Sequence, residues 1–229
     1  MNGFATPGPV ARLDKVTKIF NGSGHPTTAV REVTFEAGRG EMVLLLGPSG
    51  SGKTTLLTLV AGLTRPTSGR IALFGKNVEE YSAKELQSLR AERIGFVFQT
   101  FLLIDSLTAA ENIEIVLHFN GKRRAERAGK TRGLLKELNI EYLAGRFPRA
   151  MSQGEKQRVA IARAIANDAE LLIADEPTGS LETRQAVDII ALLHGQAKSR
   201  NATVIVASHD LRLREFADRT LSLQDGTMA

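Results

Sequence analysis

Gly47-Pro48-Ser49-Gly50-Ser51-Gly52-Lys53-Thr54-Thr55 follows an apolar run at 42–46 and leads into the helix-compatible Leu56-Leu57-Thr58-Leu59-Val60-Ala61. The spacing is G-x-x-x-x-G-K-[ST] between a strand and a helix, the arrangement of a phosphate-binding loop. Glycines let the backbone curl until successive N–H groups point inward, and the helix N-terminus adds its positive end, so the loop forms a cradle for phosphate oxygens. Lys53 places a compact positive charge at the β and γ phosphates, and the Thr54 hydroxyl is a ligand for Mg²⁺. All nine residues, Gly47 to Thr55, are therefore expected to hold a nucleoside triphosphate.

Two more apolar runs, at 171–174 and 204–207, share the character of 42–46. None of the three alternates, as a half-exposed strand would, so each reads as a parallel strand buried on both faces. Each ends in polar residues: the phosphate loop, Asp175-Glu176 and Ser208-His209. In open α/β sheets ligand sites gather beyond the carboxyl ends of the strands, so the three clusters are expected to meet. Asp175 is assigned to Mg²⁺ and Glu176 to the attacking water, since adjacent acids at a strand end point to different sides. Read alone, Asp175-Glu176-Pro177 is also ordinary turn chemistry.

Between the first two clusters, residues 100–168 change character, with helical patterns at 109–117, at 132–138 and from about Ser152, which suggests a helical insertion into the α/β core. The run Lys122 to Arg132 is strongly basic but carries no aromatic residue for stacking on bases, so a solvated helix face fits it better than a nucleic-acid site. The rest of the composition is that of a globular chain of 229 residues, 42% hydrophobic and 24% charged, with a formal charge of +5. There is no cysteine, which removes disulfides and thiolate metal sites. The opening residues lack the basic-then-apolar order of a signal peptide, and no run approaches the roughly 18 apolar residues of a spanning helix. Residues 1–11, with two Pro and two Gly, are expected to form a loose tail.

Met151-Ser152-Gln153-Gly154-Glu155-Lys156-Gln157-Arg158-Val159 resembles the signature motif of ABC ATPases. By itself Ser152 with Glu155 is a capping-box spacing, which starts a helix whose positive end faces outward. The order of motifs makes the chain similar to an ABC nucleotide-binding domain over residues 12–228. The fold class so implied is α/β: a P-loop NTPase core of the RecA-like type, at 12–99 and 169–229, with an antiparallel β edge and an inserted helical subdomain at 100–168.

The resemblance implies further roles. Phe20 stands at the family's adenine-stacking aromatic, although its own context fits a core position nearly as well. Gln99, closing Gly95-Phe96-Val97-Phe98-Gln99, matches the Q-loop glutamine that senses Mg²⁺ and the attacking water, and His209 matches the switch histidine at the γ-phosphate. Ser152 and Gly154 would touch the γ-phosphate bound by a partner, a second copy or a paralogous ATPase. Phe101-Leu102-Leu103-Ile104 would line the groove that receives a permease, or else be buried in the helical subdomain. ATP and Mg²⁺ are the implied cofactors, and the cytoplasmic face of the inner membrane is the implied location.

Two positions depart from the family pattern. Gln153 replaces the first glycine of L-S-G-G-Q, and Glu182 stands where the family usually has aspartate. The motifs most resemble the lipoprotein-releasing and macrolide-exporting group. Only 20 residues follow His209, so the permease subunits are expected on separate chains. A DNA-repair ATPase would carry a long coiled coil between Gln99 and Ser152, which here are 53 positions apart without sustained heptads. A non-hydrolysing regulatory module is disfavoured by Lys53, Asp175, Glu176 and His209, and no nucleic-acid partner is expected.

Overall fold

The computed structural model describes residues 8–21 and 25–229. Its central sheet contains β3 (Met42–Leu46), β6 (Ile94–Val97), β7 (Leu171–Asp175), β8 (Thr203–Ser208), β9 (Arg219–Gln224) and β10 (Thr227–Met228), in the order β10-β9-β3-β8-β7-β6. All of its pairings are parallel except that of β10 with β9. The three apolar runs of the sequence are thus neighbouring strands, each extended by a residue or two or matched end to end.

Both faces of this sheet are covered, which is why the runs do not alternate. Met42, Leu44 and Leu46 face one apolar cluster with Ile113, Leu138 and Ile161, whereas Val43 and Leu45 face another with Leu56, Leu59, Ile173 and Phe35. The first cluster is roofed by α3 (Ala109–Phe119), α4 (Arg124–Glu137) and α5 (Gln153–Ile165), all within residues 100–168. Helix α6 (Thr183–Arg200) packs on the same side through Ile189, Ile190 and Leu193. The second cluster lies under α1 (Lys53–Val60) and an antiparallel sheet of β1 (Ala11–Phe20), β2 (Thr27–Ala37), β4 (Ser68–Leu73) and β5 (Lys76–Asn77), ordered β2-β1-β4-β5.

Two sequence expectations shift. Val10 and Ala11 are buried, and Ala11 opens β1 opposite Ala37, so the end of the expected tail belongs to the sheet because its apolar side chains reach the second cluster. Residues 1–7 of that tail lie outside the described residues. Helix α4 starts at Arg124 rather than at 132; Arg124, Arg132 and Lys136 are exposed, Arg127 and Lys130 are half-buried, and only Thr131, Leu134 and Leu135 are buried. Helix α2 (Ala83–Arg93) was not foreseen; Ser82 and Glu85 cap it reciprocally.

Glu170, just before β7, ties these layers together. It pairs with Arg93 at the end of α2 and with Arg39 before β3 at 2.7 Å, and the Arg93 guanidinium stacks 3.7 Å from the Phe74 ring centroid after β4. The two guanidinium groups outweigh partial burial and hold the Glu170 carboxyl below its ordinary range, the Arg93 hydrogen bond being the largest cause.

Candidate nucleotide site

The loop 47–52 joins β3 to α1, and its shape excludes side chains at two points. A Cβ on Gly47 would stand 2.2 Å from the Leu223 carbonyl oxygen. On Gly52, at φ 100, it would stand 2.1 Å from that of Ala29. The Gly226 amide donates to Ser51 O at 3.0 Å, pinning the outer side of the loop to the β9–β10 turn. Gly52 caps α1 with no side-chain bond, and the first turn holds no acidic residue, so backbone donors and the positive helix end face the loop. Lys53 is nearly buried, and its ammonium donates to Gly47 O at 2.7 Å and Pro48 O at 3.0 Å. Its Nζ also lies 3.5 Å from Glu176 Oε1.

Thr54 Oγ1 donates to Asp175 Oδ2 at 2.7 Å. The other oxygen, Oδ1, is buried and finds no hydrogen-bond partner among the described residues. Burial pushes the Asp175 carboxyl above its ordinary range, the Thr54 hydroxyl bond opposing and the neighbouring Glu176 charge adding to the rise. Glu176 turns the other way, with a left-handed backbone at φ 45, an uncommon conformation for a residue with a side chain and typical of strained functional positions. Its Oε2 meets His209 Nδ1 at 3.1 Å. His209 leaves the end of β8, and the next residue, Asp210, is held by the Arg212 guanidinium, which keeps its carboxyl below the ordinary range.

Sheet order explains this convergence. Strands β3, β8, β7 and β6 lie side by side and parallel, so their carboxyl ends present the phosphate loop, His209, Asp175-Glu176 and Gln99 in one row. Gln99 is exposed, and its Nε2 sits 3.4 Å from the Cβ position of Gly179 on the loop after Glu176. Phe20 ends β1 opposite Thr27, two residues from Ala29, which abuts Gly52. The residue is 46% exposed, with Lys18 Nζ over its ring 5.1 Å from the centroid, so it is not a core residue.

Ser152 and Gly154 stand apart from this row. Ser152 caps α5, accepting from Glu155 N at 3.3 Å while Glu155 Oε2 accepts from Ser152 N at 2.7 Å. Both border a separate open cavity of about 510 Å³ lined also by Tyr142, Arg158, Gln185 and Asp188. Gln153 occupies the first turn of α5 outside that lining, and Glu182 is the N-terminal cap position of α6 without a side-chain bond. Sequence reasoning passed over Arg163 and Arg212. Arg163 reaches from α5 to the loop after Gln99, and Arg212 joins Asp210 to Thr183 Oγ1 at 3.3 Å. No motif marks such partners, because they are backbone carbonyls, a carboxylate two residues away and a hydroxyl distant in sequence.

The pattern of the ABC transporter family matches residues 30–179. The chain is 38% identical over 217 residues to a putative hemin import ATP-binding protein, HrtA, of Staphylococcus haemolyticus, covering 94% of this chain and 97% of that one. It is 38% identical over 218 residues to the macrolide export ATP-binding/permease protein MacB of Hyphomonas neptunium, covering 95% of this chain. The chain spans only about a third of the length of such macrolide export relatives, 34% in this case. Among solved structures, the dimeric post-hydrolysis state of the ATP-binding cassette MJ0796 with ADP and Pi is similar, with a TM-score of 0.88, 36% identity, and coverage of 95% of this chain and 96% of that one. The cassette cbiO1 of Clostridium perfringens, part of the cbiONQ transporter complex, has a TM-score of 0.87 at 28% identity, covering 97% and 87%. A phosphate cradle, an acid pair and a capped signature helix on one scaffold, together with these likenesses over nearly the whole length, establish that the chain belongs to the ABC transporter family as an ATPase cassette.

Proposed function

We propose that this chain binds ATP with Mg²⁺ in the 47–55 cradle and hydrolyses it to drive permease subunits carried on separate chains. The observation that carries the reading is the link Lys53–Glu176–His209, shielded at Lys53 and Glu176 and open to solvent at His209, beside the Thr54–Asp175 pair. Lys53 and the backbone donors would neutralise the β and γ phosphates. Glu176 Oε2, oriented by His209, would polarise the water that attacks the γ-phosphorus, and the proton would pass toward that carboxylate. Gln99 stands where it can orient the same water, and the exposed Phe20 would offer the adenine the ring face away from Lys18.

Thr54 and Asp175 fit a Mg²⁺ ion, because the buried Oδ1 of Asp175 lacks a partner and two hard oxygen donors leave the remaining ligands to phosphate and water. Bound there, the ion would supply charge neutralisation between the phosphates. The donors of Ser152 and Gly154 lie away from the chain's own cradle, which favours their use on a nucleotide held by a second copy or a paralogous ATPase. ATP would then close a head-to-tail pair, with each site completed by the other subunit.

A permease surface is supported by an apolar groove of about 240 Å³ beside β6, lined by Ile94, Phe96, Val116 and the 78% exposed Phe119, and by the outward side chains of Leu102 and Ile104. Among the described residues no helix is long and apolar enough to cross a membrane. A peripheral position at the cytoplasmic face of the inner membrane is the matching location. The macrolide-export or lipoprotein-release type is supported by the identity to the macrolide export proteins. Affinity capture of the tagged chain from its native membranes with mass spectrometry tests the reading. Recovery of a permease with a large extracytoplasmic domain supports it, and recovery of DNA-bound factors without a membrane protein overturns it.

A further inference from the structure

The turn after Gln99 is left-handed at two consecutive residues, Phe101 at φ 61 and Leu102 at φ 47, although neither is glycine. Side chains disfavour that conformation, so something must hold it. Arg163 does so from the last turn of α5. Its Nη2 donates to Phe101 O at 2.8 Å and its Nη1 to Leu102 O. On the far side of the same loop, the fully buried Asn112 of α3 accepts from Ile104 N at 2.8 Å and donates to Ile104 O at 3.1 Å. Clamped at both ends through its backbone, the loop turns Leu102 and Ile104 outward, at 53% and 44% exposure. The opposite end of α5 carries Ser152 and Gly154, one rigid helix away.

We infer that Arg163 is a positioning residue that fixes the strained 101–102 turn, thereby aiming Gln99 at the Glu176 loop and joining the exposed Leu102 surface to the signature end of α5. The inference rests on the reading of Gln99 and Ser152 as parts of the ATP site. A planar guanidinium spans two adjacent carbonyls, and an ammonium, as a point charge, does not. A displacement of Leu102 would therefore reach Ser152 through α5 as a shift of a whole helix rather than through the flexible chain.

The test is Arg163→Lys, alone and combined with Leu102→Gly, in the full chain. Arg163→Lys is expected to lower kcat about tenfold with ATP affinity changed less than about twofold, the scale of a coupling residue. Chymotrypsin should also cut after Phe101 or Leu102 about ten times faster, as the turn opens locally. Because glycine adopts positive φ freely, Leu102→Gly should restore the Arg163→Lys chain to the turnover of the Leu102→Gly single variant. If Arg163→Lys fails to fold, the same glycine should restore folding. Native turnover and native cleavage in Arg163→Lys, or a loss that the glycine leaves uncorrected, would overturn the inference. A native chain that does not hydrolyse ATP would instead overturn the ATPase reading, while the cleavage assay would still report on the clamp.

Discussion

The hydroxyl of Thr54 donates to Asp175 Oδ2 at 2.7 Å and leaves Oδ1 of the same carboxylate buried and unpartnered. An oxygen in that condition costs free energy unless a cation or a water meets it. Asp175→Asn keeps the shape and removes the charge. It should weaken Mg²⁺-dependent ATP binding by about 10–100-fold, as loss of a metal-site partner commonly does, and leave metal-free nucleotide binding nearly unchanged. Titration of a fluorescent ATP analogue with and without Mg²⁺ separates the two, and equal losses in both would contradict the assignment.

Gly52→Ala should be among the most damaging single changes in the chain. Its Cβ would stand 2.1 Å from a backbone oxygen at a φ of 100, so the loop or β2 must move. Loss of nucleotide binding by at least about 100-fold is expected, with a destabilisation of about 2–4 kcal/mol. Calorimetry and nucleotide titration on one sample would show both.

Ser152→Ala separates the cap from the chemistry. Loss of the cap should cost about 1 kcal/mol, or about 2–4 °C in Tm for a chain of this size. Turnover should fall much further than that stability loss accounts for, because the same hydroxyl is proposed to meet the partner's γ-phosphate. A turnover loss that vanishes once the folded fraction is corrected would leave Ser152 as a cap alone.

Glu170 has a folded-state pKa below its ordinary value of about 4.5, so its pairing with Arg93 and Arg39 adds stability above that value and loses it as pH falls through the lower folded-state pKa. Glu170→Gln should lower stability by about 1–2 kcal/mol at pH 7, and the difference from the native chain should shrink steadily below about pH 4. Denaturant melts at several pH values check the sign. A gap that widens with acid would contradict it.

The parallel strands were legible because burial on both faces leaves unbroken apolar runs, and the phosphate loop because backbone oxygens nearby require Gly47 and Gly52. Other elements were hidden for physical reasons. Helix α2 buries only Leu86 and Leu89, too few for an apolar period, although Ser82 and Glu85 spelled out its cap. Strands β1 and β2 shift register where Lys15 and Glu32 take positive φ, which breaks the alternation that would have announced them. Phe20 could not be placed by sequence because an aromatic ending a strand serves core and ligand equally, and it is its exposure in the structure that removes the core reading. Arg163 was invisible because its partners are carbonyl groups, which every residue carries.

The most direct test of the account is light scattering and ATP turnover of Glu176→Gln beside the native chain, each with ATP and Mg²⁺. Removing the charge while keeping the phosphate contacts should lower turnover by about 10²–10⁴-fold, the usual worth of a general base, and leave the variant as a stable ATP-bound dimer. Hydrolysis by Glu176→Gln at the native rate would contradict the role given to Glu176 and the cassette mechanism built on it.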